Sequence, residues 1–287
     1  MPFVLLALLA STPRIDEYLA GCAEPADGFV APARSTATAP APGTVSLAAD
    51  GRVELTHCFY ENHLVREVRS RVEGLTSLDV RPGDRVGRGQ RLGAGARVHV
   101  TIDDAPAADF VRGRERLFVP RRERVLVVVD VDAHRAVRFV EGRATDEWEI
   151  ASGQAEGAKE QRGDLRTPRG LYFVVHRTTG PFGGEWAGYF GEAFVKLDYP
   201  NAFDAARGLD GGLVTAAEAA EISTRWRRRE ATPQRTKLGG GIGFHGWIAP
   251  WDGDAGYGLS WGCVVMHPAE VKRFSELVPL GSAVVLL

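Results

Sequence analysis

The sequence predicts a mainly β protein with a few helices, divided into two domains. Short apolar or alternating runs recur along the chain, and turn dipeptides such as Asp50-Gly51 and Glu141-Gly142 separate them. The 34 glycines suit a fold with many turns. An arginine-rich connector at 110–124 divides the strands into two sets. We therefore expect a small all-β domain at 44–120 and a second domain at 124–287.

Composition restricts the class of partner. The formal net charge is −2, so bulk electrostatics favour neither nucleic acid nor an anionic membrane. The three cysteines, Cys22, Cys58 and Cys263, are odd in number and widely scattered, which predicts no disulfide framework. A bridge between Cys58 and Cys263 would block the latter thiol.

The N-terminus carries features of an exported protein. The apolar run at 3–10 is too short to span a bilayer and is similar to a signal-peptide core. The tetrapeptide Leu19-Ala20-Gly21-Cys22 resembles a lipobox. We expect a signal or lipoprotein-like segment at 1–22, with a lipid anchor at Cys22 as the one membrane contact. The alternative is an amphipathic segment without a targeting role. Residues 23–43, rich in Ala, Pro, Ser and Thr, predict a disordered linker.

The first domain is expected to hold strands at 44–47, 52–60, 64–72 and 97–102, with a hairpin turn at Asp50-Gly51. The segment VRPGDRVGRGQRLG at 80–93 resembles a hairpin of barrel-sandwich hybrid domains, which include LytM-type metallopeptidases. His57 and His99 are two candidate zinc ligands, but no further His or Asp in the expected order completes the three that a catalytic zinc needs. We therefore predict no metal and no cofactor, and a degenerate scaffold. A zinc-dependent peptidoglycan peptidase stays an alternative.

The second domain has clearer elements. Apolar runs predict strands at 125–131, 136–140, 147–151 and 171–175. The capping box Thr215-Ala-Ala-Glu218 begins a helix to about residue 229, and Pro268 begins another to about residue 277. A last strand at 283–287 is expected to pair beside the sheet that carries the site.

The candidate site lies at 239–266, GGGIGFHGWIAPWDGDAGYGLSWGCVVM. A thiol needs a base to become a good nucleophile near neutral pH, and histidine can serve. The spacing fits a strand ending at His245, a loop, and a return to Cys263. The alternative is a buried cysteine and a core histidine without a chemical role.

The pattern His245-Gly246 followed by Ser260-x-Gly262-Cys263 resembles the signature of YkuD-type L,D-transpeptidases. Two further blocks resemble the family in the same order, Gly-Asp-x-x-Thr-Pro-x-Gly-x-Tyr at 163–172 and Tyr-Pro-Asn at 199–201. Trp261 replaces the second histidine of the usual form, and Val265 replaces its Arg or Asn. The tail is more similar to the YafK-like or DpaA-like branch, whose members are amidases that release proteins from peptidoglycan.

The resemblance implies a β-sandwich or barrel catalytic domain that acts on peptidoglycan stem peptides. Cys263 would attack the L-centre carbonyl of meso-diaminopimelate to give a thioester, and His245 would be its base. Backbone amides of Gly262 and Cys263 would stabilise the oxyanion, and Ser260 would shape the turn. Four residues are expected on the substrate side: Arg166, Trp261, Gly246 and Tyr199.

Two outcomes of the thioester stay open, hydrolysis by water or transpeptidation to an amine. A peptidoglycan-linked envelope protein is a candidate partner, and the periplasm or cell envelope is the expected location. Lys159 and Arg169 could also face an anionic stem peptide, and Tyr199 could instead pack in the core. A non-catalytic cell-wall-binding module and a metal site of His245, Cys263 and His267 are further alternatives.

Overall fold

The computed structural model describes residues 12–22, 28–32, 37–112, 118–184, 188–248, 251 and 257–287. The chain forms two compact units. One is Glu17–Pro120, and the other is Arg121–Leu287 together with the described residues up to Asp16. Helix α1, Pro13–Ala20, crosses the boundary in sequence. Within the described ranges, no helix is long and apolar enough to cross a membrane.

In the part of the chain that the structure describes, the N-terminal unit is a β structure with the end of α1 and one short helix of its own, α2, at Ala107–Val111. Its strands are β1 Gly43–Ala49, β2 Arg52–Glu61, β3 Leu64–Glu73, β4 Ser77–Leu78, β5 Arg85–Val86, β6 Gly93–Ala94, β7 His99–Ile102 and β8 Ala105–Pro106. Six of them form a sheet in the order β5-β1-β2-β3-β7-β8, and β4 pairs with β6. Asp50 and Gly51 both have positive φ, as a two-residue hairpin between β1 and β2 requires. The predicted strands of this region are therefore present.

The cysteine prediction was wrong in one respect. Cys22 and Cys58 form a disulfide across 36 residues, and Cys263 is the free thiol. The sulfur of Cys22 is thus covalently bound to Cys58, which contradicts a lipid anchor at Cys22. The bridge between Cys58 and Cys263 does not form. The sequence did not indicate this pair because Cys22 and Cys58 are 36 residues apart, and only the fold brings Cys22 beside β2.

The described part of the expected linker is packed rather than disordered. Phe29 is buried, with its ring 5.5 Å from Phe59 and 5.1 Å from Phe110. Ala39 and Ala41 are also buried in the N-terminal unit. Small alanine side chains can lie close against a sheet. A segment whose composition is typical of a linker can therefore be packed, as this one is. Residues 23–27 and 33–36 of this prediction lie outside the described residues.

Among its described residues, the C-terminal unit holds nine further strands and three α-helices. The strands are β9 Val125–Asp130, β10 Arg135–Val140, β11 Arg143–Gly153, β12 Gly170–Thr179, β13 Ala193–Leu197, β14 Gly243–His245, β15 Gly258–Ser260, β16 Val264–Met266 and β17 Ala283–Leu286. The helices are α3 Ala202–Asp210, α4 Ala216–Arg227 and α5 Pro268–Leu277. Thr215 and Glu218 form the predicted capping box of α4.

The nine strands form one sheet in the order β10-β9-β17-β12-β13-β14-β16-β11-β15. Because β10 also pairs with β11, the first eight strands close into a barrel, and β15 extends from β11. Side chains such as Val127, Trp148, Phe244 and Phe274 fill its core. The structure confirms the predicted fold class, mainly β with a few helices and a C-terminal β barrel.

Helix α3 was not predicted, although its signal was present. Asn201 accepts hydrogen bonds from the N–H groups of Phe203 and Asp204, and the Asp204 side chain accepts from the N–H of Asn201. The Asn-x-x-Asp stretch at 201–204 is thus a capping box.

Candidate active site

The barrel places Cys263 and His245 on two adjacent parallel strands. His245 ends β14 and pairs with Val265 of β16, while Cys263 immediately precedes β16. Strand side chains alternate between faces, so Cys263 shares a face with Val265 and hence with His245. Phe244 and Val264 face the core instead. The two side chains singled out from sequence therefore lie on the same outer face of the barrel.

His245 is fully buried, and one ring nitrogen is left without a partner. Its Nδ1 lies 2.5 Å from the carbonyl oxygen of Gly246, which can only accept, so Nδ1 carries the proton. Its Nε2 has no hydrogen-bond partner among the described residues. Burial lowers the pKa of His245 to about 4, and the hydrogen bond to the backbone of Gly246 acts in the opposite direction. The ring is thus neutral at pH 7, with a free lone pair on Nε2.

Cys263 is a buried free thiol, 9% exposed. Its Sγ–H donates to the carbonyl oxygen of Gly241 at 3.4 Å. Burial raises the pKa of Cys263 to about 11, while a backbone hydrogen bond to Gly243 and the charge of Lys159 act in the opposite direction. The thiol is therefore protonated at neutral pH in this structure.

The turn before Cys263 is fixed by Ser260. The Ser260 hydroxyl donates to the carbonyl oxygen of Cys263 at 2.7 Å and accepts the Gly262 N–H at 3.0 Å. Gly262 has a φ of 129°, and a Cβ there would lie 2.6 Å from the carbonyl oxygen of Arg166. Only glycine fits this position. Because Ser260 already holds the Gly262 N–H, the expectation that this amide is an oxyanion donor is wrong for this conformation; the Cys263 N–H is the other candidate.

Aromatic side chains surround the histidine. The ring of Tyr189 lies 4.8 Å from that of His245, and the ring of Phe190 lies 5.3 Å from it. Tyr189 also lies 5.3 Å from Trp247 and 6.0 Å from Trp261, which is 62% exposed. Sequence reasoning found Trp261 but missed Tyr189. Its signal, an aromatic pair between Gly188 and Gly191, is too common to mark a site.

Of the residues predicted on the substrate side, Arg166 and Gly246 lie near the cysteine and the histidine, and Tyr199 does not. Arg166 is half-buried, and its carbonyl oxygen lies against Gly262, so this residue borders the cysteine turn. Gly246 is buried and orients His245 through its carbonyl group. The placement of Tyr199 on the substrate side was wrong: it is fully buried in the core, and its hydroxyl donates to the carbonyl oxygen of Leu238 at 2.9 Å.

Lys159 and Arg169 do not present their charges to a substrate. Lys159 is buried and forms an ion pair with Asp164 at 2.6 Å. Arg169 forms an ion pair with Asp132 and donates to the carbonyl oxygen of Leu287. The sequence cannot show this, because a buried arginine or lysine in a loop has the same local pattern as an exposed one.

The metal alternatives find no support in the described ranges, where no group of three His, Cys, Asp or Glu side chains is placed to hold an ion. In the N-terminal unit, both ring nitrogens of His57 are engaged, with Ser70 Oγ at 2.7 Å and the carbonyl oxygen of Pro42 at 2.9 Å. His267 contacts Glu149 at 3.4 Å and lies beyond the far end of β16 from Cys263. His245, Cys263 and His267 are therefore not brought together as one ligand set.

Comparison with known proteins agrees with this architecture. The family model described as YkuD, the L,D-transpeptidase catalytic domain, matches residues 124–286. The chain belongs to this family. No curated protein sequence matches it. The resemblance of residues 80–93 to barrel-sandwich hybrid domains stays a prediction, since the family match begins at residue 124.

Solved structures with a similar fold include Bd1075 of Bdellovibrio bacteriovorus, which is 20% identical over 57% of this chain and 48% of its own, with a TM-score of 0.38. Pgp2 of Campylobacter jejuni, a helical cell shape determining protein, is 22% identical over 56% of this chain and 46% of its own, with a TM-score of 0.38. An L,D-transpeptidase of Xylanimonas cellulosilytica is 17% identical over 68% and 74%, with a TM-score of 0.35. The matched region spans about half the length of the first two proteins.

Proposed function

We propose that the C-terminal unit is a cysteine acyl-transfer enzyme acting on peptidoglycan stem peptides. Membership of the L,D-transpeptidase family supports the coarse function, and one observation carries the detail. A free thiol and a histidine share a face of two paired strands, and the Nε2 of that histidine is buried without a partner. Buried polar atoms are nearly always hydrogen-bonded, so an exception beside a thiol points to chemistry.

The chemistry follows from the protonation states. With the Cys263 pKa raised to about 11 and the His245 pKa lowered to about 4, the resting pair is uncharged at neutral pH. Nε2 of His245 therefore takes the thiol proton as Sγ attacks the L-centre carbonyl of meso-diaminopimelate, and the carbonyl carbon becomes tetrahedral. His245 then gives this proton to the leaving amine, and a thioester on Cys263 remains.

The Cys263 N–H is the candidate donor from this turn to the developing oxyanion. Ser260 fixes the turn through its hydrogen bonds with the backbone of Gly262 and Cys263. Arg166 borders the turn, and the exposed Trp261 forms one wall of the approach. These two side chains are our candidates for substrate contacts.

The thioester is resolved by water, which gives hydrolysis, or by an amine, which gives transpeptidation. Trp261 and Val265 replace polar residues of the usual transpeptidase signature, which favours the hydrolytic, amidase-like outcome. A peptidoglycan-linked envelope protein would then be the released group. The disulfide between Cys22 and Cys58 is typical of an oxidising compartment and supports export to the periplasm or cell envelope.

Purified sacculi test the proposal. Wild-type protein, Cys263→Ala and chelator-treated wild-type protein are incubated with sacculi, and the products are identified by muropeptide mass spectrometry. We expect Cys263→Ala to abolish product formation and the chelator to have no effect. New cross-links would identify a transpeptidase, and released peptides or proteins would identify a hydrolase.

The alternatives predict other results. A zinc peptidase would lose activity with the chelator and keep it in Cys263→Ala. A non-catalytic binding module would bind sacculi equally in both forms and yield no product. Activity that survives Cys263→Ala would refute the thiol mechanism.

A further inference from the structure

We propose that Lys159 is a positioning residue for the thiolate of Cys263: its buried ammonium group, held by Asp164, supplies the positive charge that favours removal of the thiol proton. This inference rests on the proposed function, because it assigns a role to Lys159 in activating that nucleophile. Neither the family match nor the sequence pattern assigns Lys159 this role.

The loop that carries Lys159 contacts both backbone segments around Cys263. The Cε of Lys159 would lie 3.4 Å from a Cβ on Gly239, two residues before Gly241, whose carbonyl oxygen accepts the hydrogen bond of the thiol. At the other end of the loop, the carbonyl oxygen of Arg166 would lie 2.6 Å from a Cβ on Gly262. At Gly262 a Cβ would clash with the loop, whereas at Gly239 the Cε of Lys159 lies at ordinary contact distance and the φ of 98° is what favours glycine. The loop and the thiol therefore share one packed environment.

The charge of Lys159 is fixed in position. Its side chain is 4% exposed, and Nζ donates to Asp164 at 2.6 Å and to the carbonyl oxygen of Gln161 at 3.0 Å. The Asp164 carboxylate in turn accepts the N–H groups of Glu160 and Gln161 at 2.7 and 2.9 Å. A buried ion pair adds little net stability because both ions lose their hydration. Net stability is therefore a weak explanation for the pair, whereas a charge that acts on Cys263 gives it a role.

The electrostatic effect acts on the right atom. The charge of Lys159 lowers the pKa of Cys263 against the dominant effect of burial. Among the described residues, His245 is a titratable group on the face of Cys263, and burial lowers its pKa to about 4, so it is uncharged at neutral pH. Burial raises the pKa of Tyr189 to about 12, so its phenol is uncharged beside Cys263. Asp164 is the counter-ion of Lys159, and Arg207 donates to the carbonyl oxygen of Glu160 at 2.9 Å. Charges act over longer distances in such a poorly hydrated interior.

Two variants separate this role from a structural one, because they break the same ion pair with opposite electrostatic effects. Lys159→Met removes the positive charge and leaves the negative one, so the Cys263 pKa should rise. Asp164→Asn leaves the positive charge without its counter-ion, so the Cys263 pKa should fall. A loop that merely needs the ion pair to fold would respond in the same direction to both changes.

The measurement is the rate of alkylation by iodoacetamide, in brief exposures between pH 6 and 12, so that the range brackets the Cys263 pKa of about 11. Since Cys22 and Cys58 are joined, the reagent reports on Cys263 alone. The pH of the inflection gives the thiol pKa, and the plateau rate reports access. We expect an inflection shift of about half a unit in each direction, which is about a threefold change in rate at pH 8. Lys272→Met, which removes an exposed lysine from α5, is the matched control and should shift nothing.

Shifts in the same direction, or no shift in either variant, would overturn the inference. If Lys159→Met fails to fold, Asp164→Asn decides alone: a lowered inflection supports the inference, and an unchanged or raised one contradicts it. Alkylation requires no peptidoglycan, so the result stands apart from the sacculus assay. If the wild-type protein is inactive on sacculi while the two variants shift the Cys263 pKa in opposite directions, the proposed function is refuted and the electrostatic role of Lys159 stands.

Discussion

Ser260→Ala offers a quantitative test of the cysteine turn. The fully buried hydroxyl makes two hydrogen bonds, to the carbonyl oxygen of Cys263 and from the N–H of Gly262. Alanine leaves both backbone groups buried without a partner. Each unsatisfied buried group costs about 1–3 kcal/mol, so the free energy of unfolding should fall by about 2–6 kcal/mol.

Ser282→Ala is the matched control. Ser282 is also a buried serine of the C-terminal unit, 5% exposed, but its hydroxyl has no hydrogen-bond partner among the described residues. Replacing it removes a buried polar group without orphaning another. The free energy of unfolding should change by less than about 1 kcal/mol or increase slightly.

Tryptophan fluorescence makes the assay selective. All six tryptophans lie between residues 148 and 261, so urea unfolding followed by this signal reports the C-terminal unit. Equal stability losses in the two variants would refute the assignment of Ser260 as the residue that fixes the turn. A loss of less than about 0.5 kcal/mol in Ser260→Ala would refute it as well.

Two further predictions concern the histidine and the disulfide. The pKa of His245 falls from 6.5 to about 4 on folding, so the unfolded chain binds more protons between these values, and this residue should reduce stability by about 3 kcal/mol as the pH falls from 6.5 to 4. His245→Gln should weaken that pH dependence by a similar amount in urea unfolding, and an unchanged dependence would contradict the buried neutral ring. Cys58→Ser should destabilise the N-terminal unit by about 4 kcal/mol, from the 36-residue separation, seen as faster proteolysis of that unit. Non-reducing peptide mapping should recover the peptide joining Cys22 and Cys58, and a lipid on Cys22 would contradict it.

Local patterns predicted the elements of the C-terminal unit well. The apolar run at 125–131, the capping box at Thr215 and Pro268 each set a strand or helix through near neighbours, so the sequence contains the whole signal. The pairing of Cys22 with Cys58 and the burial of Tyr199 depend on contacts between distant segments. No local rule contains that information, and both predictions failed for this reason.

The candidate site divides in the same way. Cys263 and His245 were visible because a nucleophile and its base must be particular residue types. Tyr189 and the ion pair of Lys159 with Asp164 were not recognised, because their positions come from packing between loops. The Gly262 amide was misassigned because its hydrogen bond to Ser260 depends on the conformation of the turn.

The position of β17 affects how the barrel can form. This strand follows every other element of the unit in sequence, yet it lies between β9 and β12 and joins the two flanks of the sheet. While the chain emerges from its N-terminal end, β9 and β12 each keep an unpaired edge until residues 283–286 arrive. Open edges of this kind readily pair with other chains. Newly made chains of this protein should therefore depend on protection from aggregation until the barrel closes. Cleavage of the folded chain ahead of β17 should expose the same strand edges again.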